Sequence, residues 1–215
     1  MQEEQKDRII FVAGLHGNER MPVKALSADG VDFILGSPRA YERNVRFTEK
    51  DLNASFGVTD GSYEAGRALE ILDRIGQNDL VVDFHTTESE KEPFVIVIDR
   101  RMLALAERTG IARVVVMTHN IKEGHALINY RNGISVEAGR HIDEESLAVT
   151  RSVVRNVRAG KKHPISVYEV YDRITEPGQY INFEAHPAGF IPVLANEPAY
   201  EKVGLFGLKA RKMNT

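Results

Sequence analysis

The chain has 215 residues, with 28 Lys and Arg against 31 Asp and Glu, a formal net charge of −3, and neither Cys nor Trp. Without cysteine there is no disulfide scaffold, thiolate zinc site, iron–sulfur cluster or cysteine nucleophile, so any metal must be held by His and carboxylates. The near balance of charge speaks against nucleic acid, no apolar run approaches the ~20 residues of a membrane span, and the polar start MQEEQKDR lacks a signal-type apolar stretch, so the expectation is a soluble, cytoplasmic protein.

Arg8–Ala13 (RIIFVA) is a short apolar, β-branched run closed by Gly14, the pattern of a buried strand in a parallel sheet. A weaker helical pattern follows from Asn18 to Ala28, then a second strand over Val31–Leu35, ended by Gly36-Ser37-Pro38. Residues 38–57 are charged and read as irregular. Ser62 is an N-cap for a helix running to about Ile75, with Gly76 as its stop. Strands are predicted over Asp79–Phe84, Phe94–Ile98, Arg113–Met117 and Gly133–Val136, a short helix over Met102–Arg108, and an amphipathic helix over Asp143–Arg158. Strands alternating with helices predict a doubly wound, mostly parallel α/β sheet with helices on both faces. After Gly160-Lys161-Lys162 the pattern changes to short alternating runs broken by Pro177, Pro187, Pro192 and Pro198, with a helix only near Ala199–Lys202. The division expected is an α/β domain over 1–160 and a small β-rich unit over 161–215. That unit is too small to be stable alone and must pack on the first.

In open α/β sheets the ligand crevice lies beyond the carboxyl ends of the strands. Three polar groups fall there: Gly14-Leu15-His16-Gly17-Asn18-Glu19 after the first strand, His85 after DLVVDF, and Glu137 after GISV. His16 and Glu19 are three apart, which at a helix start puts imidazole and carboxylate on one face. His85 would complete a His₂Glu set, the kind that holds catalytic zinc and leaves a position for water. Asp83, two residues earlier on the strand, shares the face of His85. It either orients the imidazole or binds a backbone amide. Glu137, ending an apolar strand, is expected to be partly buried and thereby raised toward a general-base pKa.

Further matches follow in order: Gly36-Ser37-Pro38-Arg39-Ala40, Arg46-Phe47, Asp51-Leu52-Asn53 with Phe56, Asp83-Phe84-His85-Thr86-Thr87, Glu137-Ala138-Gly139 and Asn196-Glu197-Pro198-Ala199-Tyr200. Together with the His16 motif, this series resembles the succinylglutamate desuccinylase/aspartoacylase family of the wider zinc carboxypeptidase group. The resemblance implies one zinc per chain, held by His16, Glu19 and His85. It implies Glu137 as base for the attacking water and then acid for the leaving amine, and Arg46 as the cation at the oxyanion. It further implies Asn53 and Tyr200 as substrate-binding groups, with Asp83 and Asp51 behind the metal ligands.

Two departures stand out. Ala54 occupies the place where the family usually carries an Arg that grips the substrate carboxylate, which removes a bidentate clamp. Arg43, Arg131 or Arg140 would have to replace it if an N-acyl-aspartate or N-succinyl-glutamate is the substrate. The chain is also shorter than typical members, so a trimmed C-terminal unit is expected. The leading reading is a zinc-dependent amide hydrolase that deacylates a small N-acyl amino acid or related amine, with neither nucleic acid nor membrane as partner and a homo-oligomer left open. A carboxypeptidase-like hydrolase of short peptides is the alternative, followed by a non-catalytic metal or small-molecule binding protein. His119, His125, His141, His163 and His186 match no motif and read as surface or structural residues, with His125 in a Gly-rich turn that could face the pocket.

Overall fold

A computed structural model describes residues 8–117 and 124–213; His119 lies outside this range. In chain order the elements are β1 (Ile9–Ala13), α1 (Arg20–Ala28), β2 (Ile34–Leu35), α2 (Pro38–Arg43), α3 (Tyr63–Arg74), β3 (Leu80–Thr87), β4 (Phe94–Val97), α4 (Leu103–Glu107), β5 (Arg113–Val116), α5 (Leu127–Tyr130), β6 (Gly133–Arg140), α6 (Glu145–Ala159), β7 (Ser166–Ile174), β8 (Ile191–Val193), α7 (Pro198–Glu201) and β9 (Gly207–Lys212). Short 3₁₀ turns lie at Leu52–Ala54 and Arg100–Met102.

All nine described strands form one sheet in the order β2-β1-β3-β6-β4-β5-β7-β9-β8. β2, β1, β3 and β6 are mutually parallel. The direction reverses between β6 and β4, which pair antiparallel with Phe94 opposite Glu137 and Ile96 opposite Ser135. β4, β5 and β7 are again parallel to one another, and β9 and β8 close that edge antiparallel. The sheet is therefore mixed and mostly parallel, and the strands of residues 161–215 extend it beside β5.

Alternation along the strands sorts the core into two faces. Phe11, Ala13, Val82, Phe84, Ile134 and Val136 turn toward α1 and α6, where Val23, Leu26, Val153, Val154 and Val157 cover them. Each such buried Val, Leu, Ile or Phe contributes about 1.5–3 kcal/mol. Val12 and Val81 face the other way, under Ala68 and Ile71 of α3 and under Leu52, Phe56 and Leu127. Asp83 and His85 follow Val81 on this second face, so the chemistry-bearing residues lie under α3, the 44–57 segment and α5.

Helix ends follow capping chemistry. Ser62 accepts the Ala65 N–H at the start of α3, and Gly160 closes α6 in the left-handed region at φ 71°. The 38–57 segment is more ordered than its composition suggests. Ser37 caps α2 through the Ala40 N–H, with Pro38 in the first turn.

Candidate active site

Four segments converge on one end of the parallel half of the sheet. The first runs from β1 into α1. His16 and Glu19 do not lie in the first turn of the helix, as their spacing predicts. His16 lies in the tight turn before it, and Glu19 is the N-cap residue of α1. The Glu19 N–H bonds the His16 carbonyl at 3.2 Å, which brings the two side chains together. Gly17 is required there: a Cβ on it would lie 2.1 Å from the Ala40 carbonyl carbon.

His85 and Glu137 are not the residues that follow their strands. β3 continues to Thr87 and β6 to Arg140, so both stand within strands, opposite each other in register. Local apolar composition ends earlier than backbone pairing does, because the polar side chains line a cavity while their backbones stay in the ladder. The register shifts just beyond, between His85 and Thr87.

The side chains form a closed network. Glu19 lies between the two imidazoles, with Oε1 2.6 Å from His16 Nδ1 and Oε2 3.0 Å from His85 Nδ1. On their far sides, His16 Nε2 is 2.9 Å from Asp51 Oδ1 and His85 Nε2 is 2.7 Å from Asp83 Oδ2. Each imidazole thus turns Nε2 to an aspartate and Nδ1 inward to Glu19, and on loss of the Nδ1 proton both Nδ1 lone pairs would be presented to a metal. His16, Glu19 and His85 are 3%, 1% and 3% exposed, and their ligand atoms lie within 4.8 Å of one another. Two imidazoles and one carboxylate, each imidazole backed by an aspartate, are a donor set suited to zinc.

The electrostatics follow from this crowding. Burial alone would raise the Glu19 carboxyl, but the charges and hydrogen bonds of His16 and His85 outweigh it and hold it well below the usual carboxylate range. For His85, burial opposes the charged form, yet Asp83 and Glu19 raise it well above the ordinary imidazole value. Burial pushes Glu137 up to about 8, assisted by Glu19, Glu197 and Asp83 and opposed by His85. Burial, with Glu137 next, raises the Tyr200 phenol.

Arg46 stands beside this network. One guanidinium nitrogen donates to Asp51 Oδ2 at 3.3 Å, and another is 3.9 Å from Glu19 Oε1. Its carbonyl accepts the Gly17 N–H at 3.0 Å, locking the Arg46 backbone to the His16 turn. Behind this segment, Glu64 of α3 is 0% exposed. It accepts the N–H groups of Thr48, Glu49 and Lys50 and the Thr48 hydroxyl, at 3.0, 3.3, 3.3 and 2.6 Å.

A cavity open to solvent lies next to the network. His16, Glu19, His85, Arg46, Asn53, Glu137 and Tyr200 all line it. Asn53 also has a structural task, its Oδ1 accepting the Leu127 N–H at 3.1 Å. Arg140 does not reach the cavity; it pairs with Asp143 at 2.9 and 3.3 Å. Arg131 is spent on the carbonyls of Leu72, Ile75 and Tyr130, and Arg43 is exposed outside. His125 binds the Phe56 carbonyl and does not line the cavity either.

Sequence reasoning gave no role to Glu197, which lines the cavity and holds the C-terminal segment against the β3–β4 loop. It accepts the N–H groups of Glu88 and Ser89 and the Ser89 hydroxyl. It sits within the Asn196–Tyr200 motif, which was its available signal. Thr86, whose N–H reaches Glu19 Oε2 at 3.3 Å and whose hydroxyl is 2.7 Å from His141 Nδ1, was also unassigned.

Residues 5–160 match the model of the succinylglutamate desuccinylase/aspartoacylase catalytic domain. The chain belongs to this family. A probable aspartoacylase of Prochlorococcus marinus subsp. pastoris is 34% identical over 113 residues, covering 44% of this chain and 38% of the relative. An N-acyl-aromatic-L-amino acid amidohydrolase (carboxylate-forming) of Xenopus tropicalis is 33% identical over 109 residues, covering 38% of this chain and 34% of the relative. The matched stretch thus spans less than two fifths of either relative. Among solved structures, the succinylglutamate desuccinylase of Chromobacterium violaceum superposes with a TM-score of 0.74 at 18% identity, covering 97% of this chain and 85% of that one. Murine aminoacylase 3 gives 0.73 at 19%, covering 96% and 95%. These likenesses establish the zinc-carboxypeptidase-like fold. No helix among the described residues is long and apolar enough to cross a membrane.

Proposed function

We propose that this family member is a zinc-dependent hydrolase of an amide bond, acting on a small N-acyl amino acid or related amine. The observation that carries the reading is the pairing of the buried His16–Glu19–His85 cluster with Glu137, opposite His85 across adjacent strands. A binding site alone would need the cluster but not a half-buried carboxyl standing opposite it in register. The related aspartoacylase and N-acyl amino acid amidohydrolase support the class of bond.

His16 and His85 through Nδ1, and Glu19 through its carboxylate, would hold one zinc ion. When bound, zinc supplies a Lewis acid for the acyl carbonyl and lowers the pKa of water. Asp51 and Asp83 fix the imidazole tautomers. Glu137 takes the proton of the attacking water and returns it to the leaving amine nitrogen, a cycle its raised pKa suits. Arg46 places a fixed cation at the developing oxyanion, while Asn53 and Tyr200, which line the same cavity, hold the substrate.

Glu137→Gln tests the assignment. The variant is expected to bind stoichiometric zinc, measured by elemental analysis, and to lose turnover of an N-acyl amino acid panel. An active Glu137→Gln protein removes Glu137 from the mechanism, and a wild-type chain that fails to bind zinc removes the metal.

A further inference from the structure

Selection by the cavity differs from its chemistry. Beyond Glu137 the lining runs along the sheet face past Ser135 to Ile96, Ile98, Met117, Ile128 and Leu194, an apolar wall with no charged side chain among those residues. Ile96 lies opposite Ser135 in register, and the Met117 N–H bonds the Val97 carbonyl, so Ile96 stands in the ladder and Ile98 and Met117 directly follow β4 and β5. Leu194 closes it from the C-terminal segment and is itself buried.

Among the described residues, Arg46 is the only Arg or Lys that lines the cavity. It is already engaged by Asp51 and lies near Glu19. The three arginines that could replace the cation absent at position 54 are turned elsewhere: Arg140 to Asp143, Arg131 to three carbonyls, and Arg43 to an exposed position. Glu197 adds a carboxylate to the lining. A second carboxylate on a substrate would therefore be desolvated against an apolar wall with no further Arg or Lys among the described lining residues to pair it, and a buried charge without a counter-charge is among the costliest groups a site can accept. An apolar side chain would gain the burial instead.

We propose that the cavity selects N-acyl amino acids whose amine portion carries an apolar side chain and a single carboxylate, and discriminates against N-acyl derivatives of aspartate and glutamate. The proposal rests on the hydrolase reading for turnover, but not for binding. One measurement is kcat/KM of the zinc-loaded full chain for N-acetyl-L-leucine, N-acetyl-L-methionine and N-acetyl-L-phenylalanine against N-acetyl-L-aspartate and N-succinyl-L-glutamate. The other is calorimetric binding of the same compounds to Glu137→Gln, with leucine and aspartate titrated into wild type as a check independent of that variant. At least a tenfold preference for the apolar series in both turnover and binding is expected. Equal or tighter binding of the aspartate and glutamate derivatives overturns the inference while leaving hydrolysis intact, and so does failure of the apolar series to bind. Preferential binding of the apolar series without turnover of any compound overturns the hydrolase reading and leaves the selection standing.

Discussion

Asp83 Oδ2 lies 2.7 Å from His85 Nε2, and the aspartate is wholly enclosed by the sheet. Its other oxygen, Oδ1, is buried with no hydrogen-bond partner among the described residues. A fold that tolerates half of a carboxylate unsatisfied does so where the other half is needed. Asp83→Asn is expected to keep the fold and lower zinc affinity about 10–100-fold, the usual cost of removing a partner behind a metal-bound imidazole. Competition with a chromophoric chelator measures this, and an unchanged affinity would show that Asp83 does not tune His85.

Glu64 anchors the segment that carries Arg46 and Asp51. Burial alone would raise its carboxyl, but hydrogen bonds from the Thr48 side chain and the backbone of Thr48, Glu49 and Lys50 outweigh burial and hold it below its ordinary value. A depressed folded-state pKa means stability present above the unfolded value of about 4.3 and lost as pH falls through the folded value. Glu64→Gln is expected to cost roughly 1–3 kcal/mol at pH 7, because a buried acceptor serving several donors is weakened. The deficit should shrink as the pH is lowered below 4. Urea unfolding of both proteins between pH 3 and 7 checks this, and a pH-independent difference would contradict the charged role of Glu64.

Tyr200→Phe isolates the hydroxyl that the C-terminal segment brings to the cavity. Loss of one hydrogen bond to the reacting group, about 1 kcal/mol, corresponds to a five- to tenfold drop in kcat/KM. The midpoint of thermal unfolding should move little, since the ring stays packed beside the Phe94 and Val193 cluster. An unaltered kcat/KM would reduce Tyr200 to a packing residue.

Gly17→Ala tests how tightly the first motif is built. Its new methyl would overlap the Ala40 backbone, which cannot retreat as a flexible side chain would. Overpacking of this kind costs typically about 1–3 kcal/mol. Because Gly17 also donates to the Arg46 carbonyl, zinc affinity and kcat should fall together. Chemical denaturation and zinc titration of the variant supply both readings, and a protein of wild-type stability and affinity would show that the loop has room to relax.

Much of this site could be read in the chain because its polar residues interrupt strongly patterned strands. DLVVDF and GISV mark β3 and β6 by their apolar runs, and His85 and Glu137 are conspicuous where those runs stop. What could not be read was that the strands go on, since pairing beyond that point depends on partners 50 or so residues away rather than on local composition. α2 was missed although Ser37 before Pro38 is a capping signal, because charged residues around it masked a six-residue helix. β6 and β4 are both apolar runs, and nothing in either predicts that they pair antiparallel. Placement of Ile96, Ile98 and Met117 in the cavity follows from that pairing, so the apolar wall had no local signal at all. Glu64 carries no local signal of its role, since its partners lie fourteen to sixteen positions earlier and meet it only in the fold.

The reversal of strand direction between β6 and β4 has an evolutionary consequence. His16, Glu19, His85 and Glu137 belong to strands, or turns following strands, that run one way; Ile96, Ile98 and Met117 belong to strands, or residues following strands, that run the other. A seam one strand spacing wide, with Glu137 on one bank and Phe94 on the other, divides the two sets. On the selection proposed above, substitutions on the β4–β5 bank would exchange one substrate side chain for another while the bank of His16, Glu19, His85 and Glu137 stays as it is, which would give a lineage built on this sheet a route to new substrates through a few apolar positions.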